Sequence, residues 1–316
     1  MDKLKKIFYS IFNALKRAFY AVCNNWFRWY DMFIITAIVA LVIMLLGDYL
    51  GAVIFSVLFP GEETAFTDAL KFYGVQIGVW IVLIAYLFIV NPDKPILRTF
   101  WTKYKGNSVA LFLLGLAVGG GMNLFCAVMA IFNKDIAVYL SDDIQFFKVF
   151  AVFIMVFFQS GSEEIICRGF LYQRLRRSYR SPWVAIIGNS MVIACMHLLN
   201  PGITILSFLN LILCGVFLAL MIYYFESMWM AIAFHTAWNF MQSIVLGLPN
   251  SGIVFDFSVF KLDAASATNS FAYNVNFGIE GTILSSLVLA FGIVVIIVLG
   301  QKQQRENLWV VGDTII

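Results

Sequence analysis

Residues 147–172 read FKVFAVFIMVFFQSGSEEIICRGFLY. From Val149 to Phe158 the run is unbroken and apolar, and beyond it Glu163, Glu164 and Arg168 stand among isoleucine, phenylalanine and leucine. A helix over this stretch is long enough to span a bilayer, whose hydrocarbon core takes about 20 helical residues to cross. Ionisable side chains at that depth are expensive unless they pair with one another or line water, so their presence marks a candidate site. The stretch therefore predicts a membrane-spanning helix with chemistry part-way along it.

Seven more apolar stretches flank it, near residues 33–58, 73–91, 108–132, 183–199, 204–225, 228–247 and 281–300, giving about eight spans. Composition agrees: 62% of the 316 residues are apolar, 17% are aromatic and only 12% are charged, with a mean hydropathy of +0.88. The fold class these values predict is all-α, a polytopic membrane protein with its helices in one bundle. Ahead of the spans, Leu4, Ile7, Phe8, Ile11, Phe12, Leu15, Phe19 and Val22 recur at three- and four-residue spacing, opposed by Lys3, Lys6, Lys16 and Arg17. That is the pattern of a basic amphipathic helix on a membrane surface, not of a cleaved signal peptide.

The organisation read from this pattern is an interfacial segment at 1–30, N-terminal spans at 31–145, a catalytic core at 146–247, an extracytoplasmic loop at 248–280, and a last span with a cytoplasmic tail at 281–316. No repeat of 20 to 50 residues is visible, which leaves an inverted-repeat transporter without support. A formal charge of +3 is too small to argue for nucleic acid. Cys23, Cys126, Cys167, Cys195 and Cys214 form no CxxC pair and read as small apolar helix residues.

Basic residues sort to one side: the N-terminal segment, then Lys94, Arg98, Lys103 and Lys105, then Arg174, Arg176, Arg177 and Arg180, then Lys302 and Arg305. Glu62, Glu63, Asp68, Asp142 and Asp143 fall on the other. By the excess of Lys and Arg in cytoplasmic loops, both termini are predicted in the cytoplasm of a multi-pass cell-membrane protein.

Within the spans the ionisable list is short: Asp48, Glu163, Glu164, Arg168, His197 and His235, the last two being the only histidines in the chain. A lone buried histidine is more often a satisfied core residue; two of them together with a double glutamate favour a site. Consecutive helical residues point about 100° apart, so Glu163 and Glu164 have different jobs. Glu164 stands four residues before Arg168, the order that suits an ion pair along one helix, which leaves Glu163 free to act as a base. His235 and Asn239 share a helix face and form a donor pair suited to an oxyanion. At 1.5 Å per residue, Glu163 and His235 lie about 12 to 17 Å from the basic loops and His197 deeper, so that the three are expected to meet in a cavity opening to the cytoplasm.

EEIICR at 163–168, IACMH at 193–197 and HTAWN at 235–239 follow in order and spacing the pattern of a known family. Residues 150–245 resemble the CAAX protease and bacteriocin-processing family of intramembrane proteases, which includes the eukaryotic prenyl-protein endopeptidase. One position departs: the family's second motif usually opens with phenylalanine, where this chain has Ile193. LGLPNSGI at 246–253 and NFGIEG at 276–281 also look similar to bacterial members. The resemblance implies an endopeptidase acting on a membrane-associated peptide or protein, lipidated or not, within the bilayer. It implies that Glu163 activates water with help from His197, that His235 and Asn239 stabilise the oxyanion, and that Glu164 and Arg168 brace the helix. Glu163, His197 and His235 are also candidate ligands for a Zn2+ ion, although no HExxH helix is present; a metal-free glutamate mechanism is the alternative. Two rivals stand beside this reading. A transporter or channel would be lined by Asp48, Asn123 and Gly119–Gly121, though small residues more often allow close helix packing. A non-catalytic binding or immunity protein would keep the same fold.

Overall fold

A computed structural model describes residues 2–25, 27–61, 64–101 and 106–300. Glu62, Glu63, Lys103, Lys105, Lys302 and Arg305, and the tail from 301 onward, lie outside these residues. The chain runs α1 (Asp2–Val22), α2 (Phe33–Leu58), α3 (Ala65–Gly74), α4 (Ile77–Ile89), α5 (Val109–Phe132), α6 (Phe146–Glu164), α7 (Tyr172–Ser178), α8 (Pro182–Met196), α9 (Ile205–Phe225), α10 (Met228–Phe240) and α11 (Ile283–Gly300). Six helical stretches are long and apolar enough to cross a membrane: 33–58, 65–89, 109–132, 146–178, 205–225 and 283–300.

Two of the expected spans are shorter than their apolar runs suggested. The α8 helix has 15 residues and ends at Met196. The α10 helix has 13, and π-helical turns over Met241–Val245 prolong it. The expected second span starts earlier, at Ala65, and runs to Ile89 as one helical stretch whose regular turns are interrupted at Val75 and Gln76, between α3 and α4. The stretch 147–172 is one helical rod from Phe146 to Ser178, with π-helical turns over Ile165–Leu171.

Loops meet at two ends of the bundle. At the basic end Cys23 pairs with Tyr179, Arg180 donates to the Cys23 carbonyl at 2.8 Å, and the Gly106 N–H donates to the Glu226 carbonyl at 3.2 Å. Arg174 and Arg177, counted above as loop charges, are buried instead and hold a pair of aspartates. Arg174 bonds Asp31 at 3.0 Å, Arg177 pairs with Asp93 at 3.1 Å, and Arg177 also reaches Asp31. Charges this deep persist only when each has a partner.

At the opposite end the 248–280 segment is an ordered cap. A two-stranded antiparallel ribbon joins β1 (Val138–Leu140) to β2 (Phe260–Leu262), with Tyr139 opposite Lys261. Tyr273 and Phe277 of the cap are fully buried, and Phe255 packs edge-on to Phe72 of α3. The otherwise helical fold thus gains one small ribbon.

Close approach of backbones fixes the helices that carry the site. Gly115 and Gly119 of α5 rest on the Met230 and Phe234 carbonyls of α10, leaving no room for a Cβ. Gly121, the last of the glycine run, faces open space. Gly47 and Gly78 likewise bring α2 and α4 into backbone contact.

Candidate active site

Glu163 and Glu164 end the α-helical part of α6, just where the backbone widens into π-helical turns. Such turns re-aim side chains and are frequent at functional sites. Glu164 is fully buried and faces inward, taking a hydrogen bond from Arg168 Nη1 at 3.0 Å on its Oε1. Arg168 Nη2 also donates to the Gly215 carbonyl of α9 at 3.2 Å. The pairing of these two residues expected from their spacing is therefore present, and it ties α6 to α9.

A second donor reaches the same carboxylate. Nδ1 of His235 lies 2.8 Å from Glu164 Oε1; since a carboxylate oxygen accepts, Nδ1 carries the proton. This bond was not expected, and it fixes the ring of His235 so that Nε2 points to Glu163, whose Oε2 lies 4.0 Å away. The other oxygen of Glu163, Oε1, accepts from Gln159 Nε2 at 2.6 Å. Glu163 and His235 both keep about one-sixth of their side-chain surface open, 16% and 15%.

One turn beyond His235, Asn239 donates to Gln159 Oε1 and Ser160 Oγ, each at 3.2 Å. Its own carbonyl oxygen accepts from Asn250 Nδ2 of the cap at 3.1 Å. Gln159 thus bridges the carboxylate of Glu163 and the amide of Asn239.

His197 stands as the C-cap of α8, one residue past the end of the helix. Its Nδ1 donates to the Ile193 carbonyl at 2.9 Å, which leaves Nε2 as the acceptor. Ile193, where the resembling family has phenylalanine, is buried and packs beside it on the wall of the same cavity.

Glu163, His197, His235 and Asn239 all line one cavity of about 390 Å³, and Arg168 forms part of its floor. Asp48 and Glu280 complete the set of carboxylates around it. Asp48 accepts from Gln76 Nε2 at 2.8 Å, and Gln76 Oε1 accepts from Ser162 Oγ at 2.8 Å, so the lone aspartate of α2 is connected to α6. Glu280 accepts three bonds: Trp238 Nε1 at 3.0 Å, Ser251 N–H at 2.8 Å and Ser251 Oγ at 2.9 Å. Burial pushes its carboxyl above the usual carboxylate range, against the pull of those hydrogen bonds.

Asn250, Ser251, Phe255 and Glu280 belong to the cap, so the cavity is walled from the end opposite the basic loops. Gln159, Gln76, Asn250, Ser251 and Glu280 escaped the sequence reading as site residues. The only signal was the likeness of 246–253 and 276–281 to bacterial proteins, which named segments and no roles.

With Nδ1 of His197 and His235 each in a hydrogen bond, Nε2 of either neutral ring is the kind of donor zinc takes. Even so, no three His, Cys, Asp or Glu side chains among the described residues come together as a set able to hold a metal ion, Glu163, His197 and His235 included. The features that suggested a transport path have other uses. Asn123 Nδ2 donates to Gln242 Oε1 at 2.8 Å in a buried pair, and Gly119 serves the contact of α5 with α10.

No curated protein and no solved structure gave a match to the chain. Residues 145–241, which carry Glu163, Glu164, Arg168, His197, His235 and Asn239, match the model of the family described as Type II CAAX prenyl endopeptidase Rce1-like.

Proposed function

We propose that this protein is an intramembrane endopeptidase that hydrolyses a peptide bond of a membrane-associated peptide or protein, in the manner of CAAX processing. One observation carries the reading. Glu163 presents a free carboxylate oxygen 4.0 Å from His235 Nε2 in a cavity among apolar helices, with His197 and Asn239 on the same walls.

A water between Glu163 Oε2 and His235 Nε2 gives its proton to the carboxylate as its oxygen attacks the substrate carbonyl carbon. Asn239 Nδ2, held in place, exchanges one of its long bonds to Gln159 and Ser160 for a bond to the oxyanion. A donor of this kind is typically worth ~3 kcal/mol in the transition state. Glu163 then returns the proton to the leaving amine, and the carboxylate is restored as the bond breaks. With Nδ1 committed to Glu164, His235 orients the water through Nε2, and donates to the oxyanion only from a doubly protonated ring. His197 Nε2 takes a further hydrogen bond from water or substrate.

The partners this reading requires are the bilayer and a peptide, lipidated or not, that enters the cavity from it. Glu163→Gln keeps the side-chain shape and removes the base. Cleavage products in membrane and secreted peptides of cells carrying the wild type are expected to disappear with the variant. Purified protein should lose roughly 100-fold to 10,000-fold in rate, the usual worth of a general base. Equal cleavage by both proteins would overturn the reading.

A further inference from the structure

The residues of the cap that reach the cavity form a tight turn. Asn250 and Ile253 exchange two backbone hydrogen bonds, each 2.9 Å, and the two residues between them have positive φ, +49° at Ser251 and +84° at Gly252. Positive φ at both central positions is the signature of a type I′ hairpin turn. A non-glycine residue held there is strained and persists only where its surroundings fix it.

The surroundings do fix it. Glu280 takes both the N–H and the hydroxyl of Ser251, and its other oxygen takes Trp238 Nε1, one residue before Asn239. Asn200, three residues after His197, donates to the Ser251 carbonyl at 3.0 Å. Gly252 sits so close to the Pro201 carbonyl that no Cβ fits. The turn is therefore clamped between the segment that bears His197 and the helix that bears His235 and Asn239.

From this clamped turn Asn250 donates to Asn239 Oδ1 at 3.1 Å, and the bond is buried. A side-chain amide has two orientations that exchange its donor and acceptor ends, and only one places an N–H on the reacting side. With its oxygen held by Asn250, Asn239 keeps its NH2 turned to Gln159 and Ser160, beside Glu163.

We propose that the 250–253 turn is part of the active site, with Asn250 as a positioning residue that fixes the donor end of Asn239 and Glu280 as the clamp that holds the turn in place. This rests on the peptidase reading, and it assigns to the cap a task that the three sequence motifs do not contain.

A double-mutant cycle tests it, using the full-length protein in liposomes and a library of internally quenched fluorogenic peptides as the probe. On peptides the wild type cleaves, Asn250→Ala is expected to lower kcat about 10-fold with little change in KM, a partial loss of what one oxyanion donor supplies. In an Asn239→Ala background the same change is expected to cost less than about 2-fold, since the residue it positions is gone. Asn250→Leu keeps the size, brings no charge into the buried site and cannot donate to Asn239. It is expected to match Asn250→Ala in kcat while unfolding near the wild-type temperature in detergent, and so decides the matter if the alanine variant folds poorly. Losses that simply multiply in the double variant, or an Asn250→Leu protein with wild-type kcat, would overturn the proposal while Glu163→Gln remained inactive. Cleavage that survives Glu163→Gln, or a library left uncut by the wild type, would overturn the peptidase reading and this inference with it.

Discussion

Glu164 accepts from two cations or potential cations at once, and its own helix supplies only one of them. Arg168 lies 3.0 Å and His235 Nδ1 2.8 Å from the same oxygen, and both Glu164 and Arg168 are almost wholly buried. Removing one member of a buried pair strands the other charge, at a cost of about 3–5 kcal/mol. Glu164→Ala is therefore expected to lower the unfolding free energy in detergent by that order and to free His235 to rotate; Arg168→Leu with Glu164→Leu should recover much of the stability but none of the orientation. Glu280 behaves differently with pH. Its carboxyl is raised above its ordinary 4.5 by burial, so the folded chain holds a proton that the unfolded chain has released. Its contribution to stability is thus intact below about 4.5 and declines as pH rises toward the folded value. Relative to Glu280→Gln, the wild-type unfolding temperature is expected to fall across that window; a rise would refute the burial account. The sequence could show Glu163, Glu164 and the two histidines because ionisable residues are rare in apolar helices and so stand out. It could not show Gln159 or Asn250, since uncharged amides occur in helices and turns for many reasons and only proximity gives them a role. Glu280 was hidden because a carboxylate in a loop looks solvated until the loop is seen to fold inward.

At the scale of helices, apolar length was legible and interruption was not. A hydropathy run registers residues 73–91 as one span, and the helical stretch is one from Ala65 to Ile89, but its regular turns are interrupted at Val75 and Gln76, where the Val75 carbonyl meets Gly51. No residue pattern distinguishes an α turn from a π turn, so the widened backbone after Glu164 and after Phe240 could not be foreseen. Those turns follow the two segments that carry Glu163 and His235, where a small change in aim alters what the side chains meet. The glycine run on α5 was read as packing, and for Gly119 that is its use: the Phe234 carbonyl rests on its Cα, one residue from His235. Adding a methyl group there forces α5 and α10 apart, and overpacking of this kind typically costs about 1–3 kcal/mol. Gly119→Ala is expected to lower both unfolding temperature and cleavage rate. Gly121→Ala, which meets nothing, serves as the control and should leave both unchanged.

Across the whole molecule, two ends of different charge imply a direction in the membrane. The basic end is less positive than its sequence, because Arg174 and Arg177 are spent on Asp31 and Asp93. The N-terminal lysines with Lys94, Arg176 and Arg180 still outweigh what the cap end carries near its spans, where Asp142 and Asp143 lie exposed before α6. Basic residues close to span ends are retained on the cytoplasmic side, so the basic end is expected inside and the cap, with the wall of the cavity it forms, outside. The cap then walls the cavity on the extracytoplasmic side. The measurement needs single cysteines in a chain whose own five have been replaced, since Cys195 is exposed. Asp142→Cys should react with a membrane-impermeant maleimide in intact cells. Lys16→Cys on α1 should react only after the membrane is opened. Labelling in the reverse order would invert the molecule, leave the distances among Glu163, His235 and Asn239 as they are, and put the wall formed by the cap on the cytoplasmic side.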